Sequence, residues 1–491
     1  MGVFFDGTGQ NLYNDTYKET HGNKSRSNIG RLYQAYPTSR GEIGRIYVSG
    51  VGTFDLDPTI MSPEEIHARI DAGTDEVGTG EAFAIAPEDL VTEHIVPNKY
   101  LDEKTGGFYK WQSLLDHLHS LLTDPKTQYN QVTRVEFDIF GFSRGAALAR
   151  HFVNAALAGL PDYTRSRTGS DGLSISPSLL SGFEDHRVNI DTGYEIDSTR
   201  EVSIRFVGLF DTVGSFYWPG NEDNGNFQLG LKPECAKTVV QLCAYHEYRK
   251  NFPLTSLKTN GQLPDNFHQE VFPGAHSDVG GGYVHLRQYY NLNLPQRYQH
   301  PVLDTYNHDL IKTETLQDEY NAERRTAPNP SMGKDRANRM MEHVRQEKEL
   351  ELNNNLQQND ISGRVKCVNW NLYSYRLQPI SNALAGLSQE RMKQLAELTG
   401  VQWNTSQYEL PADYDDSLVK SLWQQLNSKP IGTIQYTDWC NTISPNEHQY
   451  VHRPHDYLIN PGWSNAKEYL VNRPTYNSQG ELHRQVFDNV Y

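Results

Sequence analysis

The chain has 491 residues, with 45 Lys+Arg against 61 Asp+Glu, a formal net charge of −16 and 37% hydrophobic residues. That length exceeds what one hydrophobic core usually organises, and that charge disfavours nucleic acid, whose phosphates call for clustered Lys and Arg, while offering no attraction to anionic lipid. No apolar run reaches the ~18 residues of a membrane-spanning helix, no basic n-region or apolar signal core follows Met1, and Cys235, Cys243, Cys367 and Cys440 are too far apart for a zinc ribbon or a C-x-x-C redox motif.

Strand-length apolar runs, β-branched or aromatic, occupy residues 3–5, 45–51, 135–140, 204–210 and 270–272. Helical periodicities separate them. Residues 107–124 align Leu114, Leu115, Leu118, Leu121 and Leu122, residues 146–160 align Leu148, Phe152, Ala156 and Leu157, and residues 235–249 align Ala236, Val239, Val240, Cys243 and Ala244. The alternation predicts an α/β fold with a mostly parallel sheet and helices on both faces. Residues 1–285 are read as this catalytic-type domain. Two stretches, about 58–106 and 161–200, are too long for simple connections and read as surface excursions, either of which could serve as a lid. From 286 to 491 the chain turns rich in Asn, Gln, Tyr and charge, and few strand signals remain. Helical patterns at 340–356 and 388–400 make this a mainly helical accessory region.

Ligands bind at the carboxyl ends of the strands in such sheets, so the chemistry is sought there. Gly141-Phe142-Ser143-Arg144-Gly145 follows the run at 135–140 and precedes the helix at 146–160, the strand–turn–helix setting of a nucleophile elbow. A helix N-terminus behind Ser143 adds partial positive charge where an oxyanion would form. A serine needs a base, and the base an orienting acid. Asp211 is the first polar residue after the run at 204–210, and His276 follows the run at 270–272, so the order is Ser143, Asp211, His276. His448, His452 and His455 also follow the serine and acid and are minor rivals for the base.

The oxyanion hole should take the amide of Arg144 and a second amide from the glycine loop after the first strand, Gly7 or Thr8. That loop, Asp6-Gly7-Thr8-Gly9, lacks a phosphate-cradling fingerprint. Phe216-Tyr217-Trp218, five residues past Asp211, is the best-placed apolar cluster to contact a substrate.

Four segments together carry a resemblance: residues 4–11 (FFDGTGQN), 141–147 (GFSRGAA), 210–214 (FDTVG) and 272–283 (FPGAHSDVGGGY), with His246-Glu247-x-Arg249-x-x-Phe252 on the intervening helix. In that order they resemble the α/β-hydrolase-like family that includes the type VI secretion phospholipase effectors of the first lipase class. The resemblance spans residues 1–283 and implies a serine phospholipase that cleaves the sn-1 or sn-2 ester of membrane phospholipids. It further implies Ser143 as nucleophile, Asp211 as triad acid and His276 as base, with no cofactor and no metal. Synthesis without a signal peptide would be followed by type VI export on a spike or adaptor protein, action at the membrane or periplasm of a rival bacterium, and a cognate immunity protein.

Two other classes are open on the residues alone. Asp6, Asp211, His276 and Asp278 could hold a divalent ion in a metal-dependent phosphoesterase, although that leaves the elbow unexplained. A hydrolase-like scaffold could also bind a protein partner through its polar C-terminal half without catalysis.

Overall fold

Six strands rich in Val, Ile and Phe form one parallel sheet: β1 Gly2–Phe5, β2 Arg45–Val48, β3 Arg134–Phe142, β4 Glu201–Phe210, β5 Thr238–Ala244 and β6 Phe267–Phe272. Their spatial order is β2-β1-β3-β4-β5-β6. This is a computed structural model, and it describes residues 1–21, 24–55, 61–72, 74–76, 105–123, 125–129, 132–158, 173–175, 188–190, 201–215, 227–285, 306–355, 362–368, 370–455 and 473–491. The expected mostly parallel α/β architecture is present. Most of the two excursions at 58–106 and 161–200, and with them the lid reading, lie outside the described residues.

Successive side chains of a strand point to opposite faces, so the sheet feeds two cores. Val3 and Phe5, Val135, Phe137 and Ile139, and Val207 and Leu209 enter one, against the helices Gly107–Thr123 and Ser143–Ala158. Phe4, Phe140, Phe142, Phe206 and Phe210 enter the other. There they meet the helix Asn28–Ala35 and, from beyond residue 285, the helices Ala383–Leu398 and Ser417–Leu426. A buried ion pair pins this cover to the sheet: Arg391 donates to the Glu270 carboxylate of β6 at 2.7 and 2.9 Å. The second half of the chain therefore supplies two helices of one of the sheet's covering layers.

Two elements differ from expectation. Residues 235–249 form not a helix but a single 3-10 turn followed by β5. Six of the seven β5 residues are buried, and an interior strand covered on both faces reads as a continuous apolar run that periodicity cannot tell from a buried helix. The motif His246-Glu247-x-Arg249 thus sits in the loop at the carboxyl end of β5. The C-terminal region is helical as expected at Pro330–Asn355 and Ala383–Leu398, and it also holds a three-stranded antiparallel sheet of Tyr306–Thr315, Asn371–Pro379 and Ser362–Val368. Finally, residues 473–491 run back along 248–260 as a strap. Thr475 donates to Tyr248, Leu254 to Gln485, Ser256 to Phe487 and Asn489 to Lys258, all through the backbone at 2.7–2.9 Å.

Candidate active site

β1 and β3 are neighbours, yet the chain leaves β1 for one edge of the sheet and β3 for the other, which makes their carboxyl ends a topological switch point. Two loops meet there. After β3 the chain turns straight into the helix Ser143–Ala158 with Ser143 at φ 59°, a left-handed conformation that costs a non-glycine residue on the order of 1–2 kcal/mol. The turn requires close packing: a Cβ on Gly145 would lie 2.1 Å from the carbonyl oxygen of Asp6. The neighbouring loop is tied to the elbow by Arg144, whose Nε donates to Thr8 Oγ1 at 2.8 Å.

The Asp6 carboxylate organises that loop from within. It accepts from Ser27 and Tyr47 hydroxyls at 2.6 Å and from the Gly7 amide at 2.8 Å; burial raises its pKa against these donors. The Gly7 amide is thereby committed to Asp6. Thr8 has no bonded amide among the described residues, and its neighbour Gly9 donates to Val51.

Asp211 ends β4, also with positive φ, at 45°. His276 opens the short helix His276–Gly280 after β6. The two meet directly: His276 Nδ1 lies 2.6 Å from Asp211 Oδ2, both fully enclosed. Burial opposes ionisation of Asp211, but the Arg484 guanidinium and His276 outweigh it and hold the carboxyl far below the usual carboxylate range. Burial also lowers the pKa of His276, with Asp211 pulling the other way. His276 is therefore a neutral imidazole at neutral pH, and its Nε2, the atom that would take a serine proton, has no hydrogen-bond partner among the described residues. Phe142 and Phe252 wall the ring at centroid distances of 4.7 and 5.0 Å. The elbow and the acid loop are joined through the backbone, since the Val213 N–H donates to the Ser143 carbonyl at 3.2 Å.

The loop after β5 braces the histidine. Glu247 accepts from the His276 backbone N–H at 3.2 Å and from Arg249 at 2.7–2.9 Å, and His246 exchanges bonds with Gly274 at 2.9 Å. Of the rival histidines, His452 is engaged by Asp278 and stacks on Tyr283 at 3.6 Å. His455 packs edge-on against Tyr248 at 5.2 Å, and His448 sits on the short helix Glu447–Tyr450. The groups weighed as metal ligands are committed to other partners: Asp6 accepts from Ser27 and Tyr47, Asp278 pairs with His452, and Asp211 with His276 and Arg484. Among the described residues no group of three or more His, Cys, Asp or Glu side chains could hold a metal ion. Phe216, Tyr217 and Trp218 lie outside the described residues.

Residue by residue, sequence reasoning missed Arg484. Its fork donates to both oxygens of Asp211, at 2.6 and 2.8 Å, from a position 273 residues away. No local pattern around Leu482-His483-Arg484-Gln485 signals it.

Residues 181–300 match the family described as T6SS, phospholipase effector Tle1-like, catalytic domain. Over that stretch the chain is similar to the Tle1-like family. The resemblance to type VI secretion phospholipase effectors carried by the four motifs is borne out by this match, which contains Asp211 and His276 and lies downstream of Ser143. No curated protein matches the sequence. Among solved structures, a Tle1 effector bound to the VgrG spike of a type VI secretion system is similar at 18% identity and a TM-score of 0.47, over 99% of this chain and 93% of that one. An uncharacterised protein from Pseudomonas aeruginosa is similar at 25% identity and a TM-score of 0.31, over 57% and 41%.

Proposed function

We propose that the protein is a serine phospholipase that hydrolyses the sn-1 and/or sn-2 acyl esters of membrane phospholipids through Ser143, His276 and Asp211. The observation that carries this reading is the enclosed His276–Asp211 pair at 2.6 Å, with Ser143 held in a strained elbow at the end of β3. The Tle1-like match supports a lipid-hydrolysing esterase of an effector type.

In the proposed reaction His276 Nε2 takes the Ser143 proton as Oγ attacks the ester carbonyl. Asp211 fixes the tautomer by accepting from Nδ1 and stabilises the imidazolium. The developing oxyanion takes the amide of Arg144 and that of Thr8, the Gly7 amide being engaged with Asp6. The imidazolium protonates the leaving lysophospholipid alcohol; water then attacks the acyl carbon while passing a proton to His276, which returns it to Ser143 Oγ as the fatty acid leaves. Phe216, Tyr217 and Trp218 are proposed acyl contacts by their place after Asp211. By its likeness to type VI effectors, we further propose delivery on a spike or adaptor protein, action at a target-cell membrane or periplasm, and an immunity protein in the producer. Among the described residues no helix is long and apolar enough to cross a membrane.

The test is fatty-acid release from phospholipid vesicles by the wild type and Ser143→Ala, each with and without EDTA. Release that needs Ser143 and ignores EDTA is expected. Release that survives the substitution but dies with EDTA would transfer the chemistry to a metal, and no release at all would point to another ester or to a binding role.

A further inference from the structure

The carboxylate that orients the candidate base is held on its other side by the end of the chain. Asp211 has four good acceptor directions, and all are filled: Oδ1 by the Ala244 amide at 2.9 Å and Arg484 Nη1 at 2.6 Å, Oδ2 by His276 at 2.6 Å and Arg484 Nη2 at 2.8 Å. Arg484 is anchored in turn, donating from Nε to the Phe252 carbonyl at 2.9 Å and from Nη1 to the Ala244 carbonyl at 3.3 Å. A planar fork set this way fixes the plane of the carboxylate, which a lone lysine charge could not do. The strap that carries it is itself locked down: Asn489 accepts from Arg150 at 2.7 Å and from the Leu231 amide at 2.8 Å.

We propose that Arg484 is a positioning residue of the active site, supplied by the C-terminal strap, which holds the Asp211 carboxylate in plane for His276. This rests on the triad reading above. The charged groups around His276 are Asp211 and Glu247 on one side of the balance, Arg484 and Arg249 on the other, with the Cys243 thiol near Asp211. With His276 neutral, the two anions and two cations cancel. Loss of Arg484 leaves an excess of negative charge, which stabilises the imidazolium and shifts the loss of base function to higher pH. A merely structural ion pair would alter stability and leave that pH dependence in place.

The experiment follows covalent labelling of Ser143 by a fluorophosphonate, read by intact mass over about pH 4 to 9, for the full-length wild type, Arg484→Gln and Arg484→Lys. The wild-type arm reads the triad, and the variants read the arginine. Arg484→Gln should label roughly 10- to 100-fold more slowly, with its acid limb moved to higher pH. Arg484→Lys should keep the wild-type limb but plateau at a lower rate, because the charge persists and the fork does not. Wild-type rates and limbs in both folded variants would overturn the proposal. Should the Gln variant fail to fold, an unchanged plateau in the Lys variant does the same. A wild type that resists the probe would remove the triad itself, and this inference with it.

Discussion

Asp278 grips His452 twice, accepting from its imidazole Nδ1 at 2.6 Å and from its backbone N–H at 3.0 Å. The same carboxylate accepts the Ala275 amide at 2.8 Å, one residue before the candidate base. Both side chains are completely buried. Removing one partner strands the other in a dry interior, so Asp278→Asn is expected to cost roughly 3 kcal/mol in urea-induced unfolding. An unfolding midpoint equal to that of the wild type would show that the pair contributes nothing to holding the C-terminal segment on the catalytic loop.

Ser143 carries a backbone penalty that glycine would not. Ser143→Ala keeps the strain, whereas Ser143→Gly releases it, so the glycine variant should be the more stable by about 1 kcal/mol while both lose ester hydrolysis. Differential scanning calorimetry compares the two directly, and a less stable glycine variant would contradict a strained elbow.

At Gly145 the backbone of β1 leaves no room for a methyl group, with Phe5 and Asp6 carbonyl oxygens 2.6 and 2.1 Å from its ideal position. Gly145→Ala must push the elbow helix away from the oxyanion loop. A stability loss of about 2 kcal/mol and a fall in kcat of at least roughly tenfold are expected. Wild-type kinetics in this variant would mean that the two loops do not act as one unit.

Acid sensitivity has two readouts. The proposed mechanism requires neutral His276, which burial shifts below the ordinary imidazole value of 6.5, so kcat/KM should hold as pH drops to 6.5 and fall only beneath it. Stability responds earlier. Burial pushes His151 and His455 down to about 4. The unfolded chain binds these protons near pH 6.5 and the folded chain only near 4, so the stability that depends on them is full above 6.5 and is lost as pH falls towards 4, by on the order of 3 kcal/mol for each histidine. Asp15, which burial raises to about 7, works in the opposite sense over the same window. Replacing both histidines by Gln should remove their share of the acid-side loss, and a thermal midpoint with the wild-type pH dependence in that variant would contradict the buried neutral histidines.

Much of the candidate site was legible because its three central residues each follow the carboxyl end of a strand. Ser143, Asp211 and His276 are the first functional groups after apolar runs, and a parallel sheet gathers such positions at one edge. Other features depend on tertiary contacts that leave no local trace. Whether Gly7 or Thr8 offers its amide is decided by an Asp6 carboxylate turned back on the chain by Tyr47 and Ser27. The strand at 238–244 was masked by burial on both faces. The helical pattern at 388–400 was legible, but its seat over Phe140 and Phe206 was not, since which face of the sheet it covers is set by tertiary contacts alone.

The strap has a consequence in time as well as in space. Ser143, Asp211 and His276 are all translated before residue 277, but the guanidinium that pairs with Asp211 is translated more than 200 residues later. Until then a growing chain holds Asp211 without its counter-charge, in a pocket whose wall from Tyr248 to Lys258 still lacks the backbone that covers it. The charge balance of the proposed triad is thereby set late, since Asp211 meets its guanidinium partner only once synthesis has passed Arg484.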